Sequence, residues 1–157
     1  NHDFLEMVPG LEGLGITLLL NESIPITRGE QTIWLVGVDD PHWYETDDLS
    51  KALRSVPSQA DPVKILLAHS TDLIKDAAAG GVDYYLCGHT HGGQICLPRS
   101  IPIITGGSPR KFASGPWRYQ NMKGYTSPGV GVSVVPVRFL CRPEIIVHQL
   151  MCEKSDS

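Results

Sequence analysis

Four continuous apolar runs along the chain are typical of buried β-strands. They lie at residues 16–20, 32–38, 63–68 and 84–87. Runs of this length without polar alternation are characteristic of strands covered on both faces. The polar residues 27–31 predict a hairpin loop before the second strand. Two further apolar runs, at residues 130–135 and 144–150, predict a pair of strands near the end of the chain.

Two stretches between these strands have apolar residues at helical spacing. The first follows the capping residues 46–48 and ends before Pro57, and the second follows residues 70–72 and ends at Gly80. Ser, Thr and Asp favour helix starts, whereas Gly and Pro favour helix ends. Residues 63–87 thus form a strand, helix, strand pattern, which predicts a parallel βαβ unit with a right-handed crossover.

The segment from residue 97 to 129 has little periodicity and is rich in Gly, Pro, Ser and Arg. This composition predicts a long functional loop region with one short strand near residues 101–104. This segment has no acidic residues, and its basic residues are Arg99, Arg110, Lys111, Arg118 and Lys123. Two interpretations stay open for this group, a solvated loop and a surface that steers phosphate groups.

The composition sets the limits on what the chain can be. Its 157 residues suit one domain with a real core, and its formal net charge of −4 argues against a nucleic-acid-binding surface. The four cysteines show no paired CxxC spacing, so we expect free thiols in a reducing compartment. They are Cys87, Cys96, Cys141 and Cys152.

Histidines follow two of the predicted strands. His69 comes directly after the run 63–68, and His89 and His91 belong to a glycine-framed loop after the run 84–87. In open α/β sheets, ligand sites lie beyond the carboxyl ends of the strands. If the loop were extended, His89 and His91 would face the same way, and converging neutral imidazoles suit a divalent transition metal. We therefore predict a metal site here.

The remaining polar candidates are weaker. His42 and His148 are expected to be ordinary surface or half-buried histidines, because each stands alone in the sequence. Asp39 and Asp40 are expected to form a turn at the end of a strand. An alternative to the histidine site is a structural zinc module that would use two thiolates and two imidazoles. Its ligands would be Cys87, His89, His91 and Cys96.

Three motifs together resemble those of the calcineurin-like metallophosphoesterases. They are Asn1-His2-Asp3, the isolated His69 after a strand, and Gly88-His89-Thr90-His91. Residues 37–40, 88–95 and 138–150 also resemble a bacterial subgroup of membrane-associated phosphoesterases. The resemblance implies an α/β fold, the carboxyl-terminal half of a four-layer αββα sandwich. It further implies a partial domain over residues 1–152, whose amino-terminal half is missing, and a polar tail over residues 153–157.

The resemblance also implies a set of site residues. Asn1, His69 and His89 would bind one divalent metal, and His91 would bind a second. His2 would lie beside the scissile phosphate, with Asp3 orienting its ring. The two metals, which could be manganese, iron, zinc or nickel, would clamp the reacting oxygens and activate a water. The implied reaction is hydrolysis of a phosphodiester or pyrophosphate bond.

Two earlier motifs of the family, Asp-x-His and Gly-Asp, do not occur at the expected positions, so we expect this chain alone to lack a complete site. The expected substrate is a phosphoester or pyrophosphate, either a small molecule or lipid-linked. Membrane association would come through a missing upstream segment, and the expected location is the cytoplasm, at the inner face of the membrane. A non-catalytic scaffold on the same fold stays open as an alternative.

Overall fold

A computed structural model describes residues 4–58 and 62–151 of the chain. The predicted ligand Asn1 and the predicted catalytic residues His2 and Asp3 therefore lie outside the described residues. Cys152 and the predicted tail 153–157 also lie outside them.

The described chain is a mixed α/β structure built on a six-stranded sheet. Its strands are β1 (Glu22–Arg28), β2 (Gln31–Gly37), β3 (Val63–Leu67), β4 (Tyr84–Cys87), β7 (Gly115–Tyr119) and β8 (Met122–Thr126). Two short strands, β5 (Cys96–Leu97) and β6 (Ile101–Pro102), form a separate antiparallel pair. The helices are α1 (Phe4–Gly13), α2 (Leu49–Leu53) and α3 (Ile74–Ala79), with short 3-10 turns at His91–Gly93, Pro98–Ser100 and Arg110–Phe112.

The strand order in the large sheet is β1-β2-β3-β4-β8-β7. The four central strands are parallel, and the outer strands β1 and β7 pair antiparallel with their neighbours. Each outer strand contains an exposed proline, Pro25 in β1 and Pro116 in β7. Because the central strands are parallel, the loops that follow β2, β3 and β4 all emerge at one edge of the sheet.

The predicted βαβ unit is confirmed. Strands β3 and β4 are parallel neighbours, with Leu66 opposite Tyr85, and α3 connects them. Helix α2 is confirmed as well, and its N-cap Asp48 accepts a hydrogen bond from the Lys51 amide at 2.7 Å. The capping prediction for residues 70–72 is wrong, because α3 begins after Leu73, which makes no side-chain cap. Those three polar side chains bond elsewhere, as described below.

The prediction of a strand at residues 16–20 is also wrong. The hairpin turn at Gly29 and Glu30 sets the register, so the seven residues before it, Glu22–Arg28, pair with β2. One residue of the apolar run instead packs across the end of β2. Leu19 lies so close to Gly37 that a Cβ at this glycine would overlap it. Ile16 and Leu20 are exposed, so the apolar composition of the run does not reflect sheet pairing.

The region 97–129 contains more regular structure than its composition predicts. Besides the expected short strand β6, it contributes the hairpin β7–β8 to the large sheet. Trp117 in β7 covers Gly124 in β8, where a Cβ would overlap the indole ring. The Trp117 indole N–H also donates to Thr126 Oγ1 at 2.8 Å. The two strands of the hairpin are thus held together by close packing of a tryptophan, a glycine and a threonine. They lack the apolar run that predicts the central strands from the sequence.

The two strands predicted at residues 130–135 and 144–150 do not form. In the part of the chain that the structure describes, neither segment belongs to a ladder, and several of their β-branched residues are strongly exposed. Val134, for example, is fully exposed and has a positive φ of 64°. A strand needs a hydrogen-bonded partner, so β-branched composition alone does not produce one.

The core lies between the sheet and the helices α2 and α3. Leu66, Tyr85 and Met122 from the sheet are at most 2% exposed and pack in one cluster with residues of both helices. The Tyr85 hydroxyl donates to the Ser70 carbonyl at 2.7 Å, so this large buried side chain also fixes the chain just after β3. No helix among residues 4–58 and 62–151 is long and apolar enough to cross a bilayer.

Two adjacent leucines of β3 test this arrangement. We expect Leu66→Ala to lower the free energy of unfolding by about 3 kcal/mol, because it leaves a cavity in the core. Leu67→Ala should cost only about 1 kcal/mol, because less apolar area is lost from a side chain that is 37% exposed. Urea denaturation of both variants measures the difference. Equal losses would contradict the assigned faces of β3.

Candidate metal centre

The parallel pairing of β3 and β4 continues beyond the ends of both strands. The Ala68 amide donates to the Leu86 carbonyl at 3.1 Å, and the Gly88 amide donates to the His69 carbonyl at 3.0 Å. This extension brings the residues that follow the two strands side by side. His69 and His89 therefore meet at the edge of the sheet, as the sequence predicts.

The two imidazoles face each other through one nitrogen each. His69 Nε2 lies 3.1 Å from His89 Nδ1, and the ring centroids are 5.0 Å apart in an edge-to-face arrangement. On its other side, His89 Nε2 lies 3.2 Å from the Gly106 carbonyl oxygen. A carbonyl can only accept, so this geometry assigns the His89 proton to Nε2 and leaves a lone pair on Nδ1.

Both imidazoles are held in the neutral form. Burial lowers the pKa of His69 to about 4 from its ordinary value of 6.5. Burial also lowers the pKa of His89, although the bond to the Gly106 carbonyl opposes this effect. Neutral imidazole is the form that binds metals.

The nitrogen separation fits two ligands of one ion. Two nitrogens bound at about 2.1 Å to a tetrahedral or octahedral metal lie about 3.0 to 3.4 Å apart. The observed 3.1 Å between His69 Nε2 and His89 Nδ1 falls within this range. The described part of the chain supplies these two facing donors, and within it no three His, Cys, Asp or Glu side chains gather around one point.

The loop that carries His91 is not extended. His89 and His91 have positive φ angles of 67° and 50°, and a 3-10 turn follows Thr90. The argument from alternating side chains is therefore wrong for this pair. Thr90 builds the turn, because its hydroxyl donates to the Ala113 carbonyl at 2.6 Å and accepts from the Gly92 amide at 3.2 Å. His91 instead lines the same cleft as His89.

Thiols and a guanidinium hold the backbone of this turn. The His91 carbonyl accepts from Arg138 Nη1 and from Cys141 Sγ, each at 3.2 Å. The Gly92 carbonyl accepts from Cys96 Sγ at 3.2 Å. A Cβ at position 92 would lie 2.9 Å from Cys141 Sγ, so only glycine permits this approach.

The structure does not support the alternative zinc module. Cys87 Sγ lies 3.2 Å from Thr126 Oγ1, whereas Cys96 Sγ bonds to the Gly92 carbonyl. Burial raises the pKa of the Cys87 thiol to about 11, which disfavours the thiolate that zinc requires. Within the described ranges Cys87, Cys96 and Cys141 are free, as predicted for these three of the four cysteines, and all three are also buried.

A cleft of about 580 Å³ opens beside the histidines. Its wall includes His89 and His91, and most of the remaining lining is apolar. The apolar contribution comes from Ile95, Ile103, Ile104, Val134 and Val135. Ile104 is 73% exposed and Val134 is fully exposed, so this wall of the cleft is open to solvent.

One histidine at this site, His42, has no motif around it in the sequence that would identify it as a site residue. His42 follows β2 and is a surface residue, one of the two expected environments, but its ring centroid lies only 4.1 Å from that of His89. Asp72 Oδ2 lies 3.2 Å from His42 Nδ1. In the structure, the parallel pairing of β2 with β3 brings His42 to the carboxyl ends of the strands. The sequence predicts β2 only as half of a hairpin and does not show that it lies beside β3, so it does not place His42 at the site.

The turn role predicted for Asp39 and Asp40 is confirmed. Asp39 Oδ1 accepts from the Asp40 amide at 2.8 Å, and the Asp40 carboxylate accepts from the amides of Trp43 and Tyr44. These bonds shape the loop that carries His42. The two aspartates therefore act on the backbone of the turn.

Comparison with known proteins gives a consistent set of relatives. No family model matches the sequence. The chain is 30% identical over 150 residues to YkoQ of Bacillus subtilis, an uncharacterized metallophosphoesterase, covering 94% of this chain and 54% of that protein. It is 31% identical over 143 residues to the phosphodiesterase YaeI of Escherichia coli, covering 90% of this chain and 50% of that protein.

A vertebrate protein is similar as well. The chain is 32% identical over 162 residues to a transmembrane protein with a metallophosphoesterase domain from Danio rerio, covering 92% of this chain and 36% of that protein. The chain thus spans about half the length of the two bacterial relatives and about a third of the vertebrate one.

The lowered pKa of His69 predicts a pH dependence of stability. Between pH 6.5 and about pH 4 the unfolded chain binds a proton here that the folded chain does not. Stability attributable to this residue is therefore complete above pH 6.5 and falls as the pH decreases through that window. We expect His69→Gln to reduce the pH dependence, measured as urea unfolding free energies from pH 7 to pH 4. Parallel curves for the two proteins would contradict the assignment.

Two adjacent glycines test how His89 is held. A Cβ at Gly106 would lie 2.9 Å from His89 Nε2, whereas a Cβ at Gly107 would meet nothing within 4 Å. Both have positive φ, so Ala at either position costs about 1 kcal/mol in backbone strain. We expect only Gly106→Ala to weaken Zn²⁺ binding, by at least about tenfold in calorimetric titration. Equal affinities of the two variants would show that Gly106 does not orient the ring.

Proposed function

Because the chain belongs to the metallophosphoesterase family, we propose that it forms part of a metal-dependent phosphohydrolase that cleaves phosphodiester or pyrophosphate bonds. Relatives named as metallophosphoesterases and a phosphodiesterase match nearly the whole chain. The single observation that supports the proposal best is the pair of neutral imidazoles, with His69 Nε2 and His89 Nδ1 separated by 3.1 Å at the carboxyl edge of a parallel sheet.

The proposed centre holds two divalent ions. His69, His89 and Asn1 would hold one ion and His91 the other, with manganese, iron, zinc and nickel as the candidates. Such ions supply positive charge that stabilises the phosphoryl oxygens in the transition state and favours deprotonation of the attacking water. His2 would contact the leaving oxygen, and Asp3 would orient the His2 ring. The half-buried and neutral His69 and His89 suit this role, because protonation would remove them as ligands.

We further propose that the remaining ligands come from a part of the protein outside this chain. Two divalent ions in one centre need carboxylates as well as imidazoles to balance their charge, whereas the described residues bring together two facing nitrogens. The bacterial relatives are about twice as long as the matched region, which leaves room for those ligands. On this proposal the 157-residue chain binds metal weakly and has little activity alone.

The apolar cleft supports a lipid-linked phosphoester as the substrate. Its lining places isoleucine and valine side chains directly beside His89 and His91. Burying an alkyl chain there would stabilise binding by about 0.8 kcal/mol for each CH₂ group removed from water. A location at the cytoplasmic face of the membrane, reached through a segment outside this chain, is consistent with the name of the transmembrane relative. Fractionation of cells that express the full-length protein tests this location.

Hydrolysis of bis(p-nitrophenyl) phosphate with added Mn²⁺ tests the reaction. We expect turnover by the protein extended upstream of Asn1 and little turnover by the 157-residue chain. In the extended protein, His89→Ala should lower kcat/KM by at least about 100-fold, since ligand loss exceeds the effect of losing an outer partner. His148→Ala is the matched control, because His148 contacts Tyr84 away from the site.

The same assay tests the substrate class. A p-nitrophenyl phosphodiester with a long alkyl chain should have a lower KM than bis(p-nitrophenyl) phosphate. Ile104→Ser should raise the KM of the alkyl ester only, while Ile145→Ser, at an exposed position that does not line the cleft, should leave it unchanged. Full turnover by the short chain would contradict the shared-ligand proposal. Equal KM values for the two esters would contradict a lipid-linked substrate.

A further inference from the structure

The short segment that follows β3 anchors two walls around His89. Residues 70–72 make no helix cap, and the side chains of Thr71 and Asp72 contact two other loops. Ser70 Oγ donates to Asp72 Oδ2 at 2.6 Å, and Ser70 is itself only 1% exposed. This bond fixes the Asp72 carboxylate, which is about half exposed, to the buried end of β3.

Asp72 holds the first wall, the ring of His42. An ionised carboxylate can only accept, so the 3.2 Å contact assigns a proton to His42 Nδ1. With Nδ1 bonded to Asp72, the His42 ring packs on His89 at a centroid distance of 4.1 Å and an interplanar angle of 51°. The His42 ring therefore restricts movement of the His89 ring perpendicular to the plane of the His89 ring.

Thr71 holds the second wall, the loop that contains Gly106. Thr71 Oγ1 donates to Ser108 Oγ at 2.7 Å, and both side chains are buried. Thr105 Oγ1 closes the same loop by donating to the Ser108 carbonyl at 2.6 Å. The loop in turn presents the Gly106 carbonyl to His89 Nε2. This hydrogen bond restricts movement of the His89 ring within its own plane.

The loop that delivers His42 is itself fixed from outside. Asn21 Oδ1 accepts from the amides of Asp39 at 3.0 Å and Asp48 at 2.8 Å, and Asn21 Nδ2 donates to the Thr46 carbonyl at 2.9 Å. One side chain thus closes both ends of the segment around His42. Together with the turn made by Asp40, these bonds fix the position of His42. None of them involves His69 or His89.

We propose that His42 is a positioning residue of the metal centre, which acts by packing on His89 while Asp72 holds it in place. Together with the Gly106 carbonyl, His42 keeps His89 Nδ1 directed toward His69. The proposal deepens the proposed function, on which it rests for the role of His89 as a metal ligand. The positioning itself is a property of the chain's own side chains and can be measured separately.

The first measurement uses the metal-free 157-residue chain with ¹⁵N-labelled imidazoles. We expect the wild-type His89 signals to report a proton on Nε2, and His42→Ala to shift them toward a mixture of both tautomers. His42→Phe should keep the wild-type pattern, because it retains a ring against His89, even though it loses the bond to Asp72. His148→Ala, which removes a histidine bonded to Tyr84, is the control for signal assignment and fold.

The second measurement is calorimetric titration with Zn²⁺. We expect His42→Ala to lower the affinity about tenfold, the size typical of outer partners of metal ligands, and His42→Phe to lower it less than threefold. Asp72→Asn should lower the affinity less than threefold in the wild-type background, as His42→Phe does, because the ring stays in place, and it should have no further effect in the His42→Ala background.

The outcomes separate the two proposals. Unchanged His89 signals in His42→Ala overturn the positioning role. If His42→Phe is as impaired as His42→Ala, ring packing is not the cause and the positioning role is again overturned. Failure of the wild-type chain and of the extended protein to bind Zn²⁺ overturns the proposed function, whereas the metal-free spectra still decide the role of His42.

Discussion

The site depends on the parallel hydrogen bonding between β3 and β4, and in particular on its last member, the bond from the Gly88 amide to the His69 carbonyl. This bond extends the register of the sheet into the two loops. It sets the spacing of the chains at the point where each contributes an imidazole. The backbone pairing places the two residues side by side, and the contacts of the His89 ring then set the 3.1 Å separation of the ring nitrogens. Displacement of either strand would therefore separate the two donors.

Around this pair the protein uses neutral contacts where many metal centres use charged ones. A carbonyl, a histidine ring and the paired imidazole contact His89, while among the described residues Asp72 acts on His89 and Asp40 on His69 as formal charges. Burial among neutral groups favours uncharged imidazoles. The turn that carries His91 is held differently, through thiol and guanidinium donors to its carbonyls. The centre is thus held by backbone acceptors on one side and by rings on the other.

The sequence predicts the parts whose structure is determined locally or by burial. The runs that form β2, β3 and β4, the Asp48 cap of α2 and the meeting of His69 with His89 all follow from apolar length, capping and strand ends. Tertiary effects produced the errors. In the run 16–20, Leu19 packs on Gly37 outside any ladder, and the hairpin β7–β8 depends on Trp117 covering Gly124. His42 could not be found because its role depends on β2 lying beside β3, a pairing between residues about 30 positions apart.

The prolines of the two outer strands have a consequence for how copies of this chain meet. A proline fits a ladder only where its nitrogen faces away from the partner strand. Pro25 and Pro116 therefore leave a gap in the row of N–H donors on each open edge of the sheet. An incoming strand would find an interrupted template at both edges, which opposes edge-to-edge association into larger sheets. These prolines thus disfavour a further strand at either edge of the six-stranded sheet that the structure describes, even though the sequence contains several runs of strongly β-forming residues.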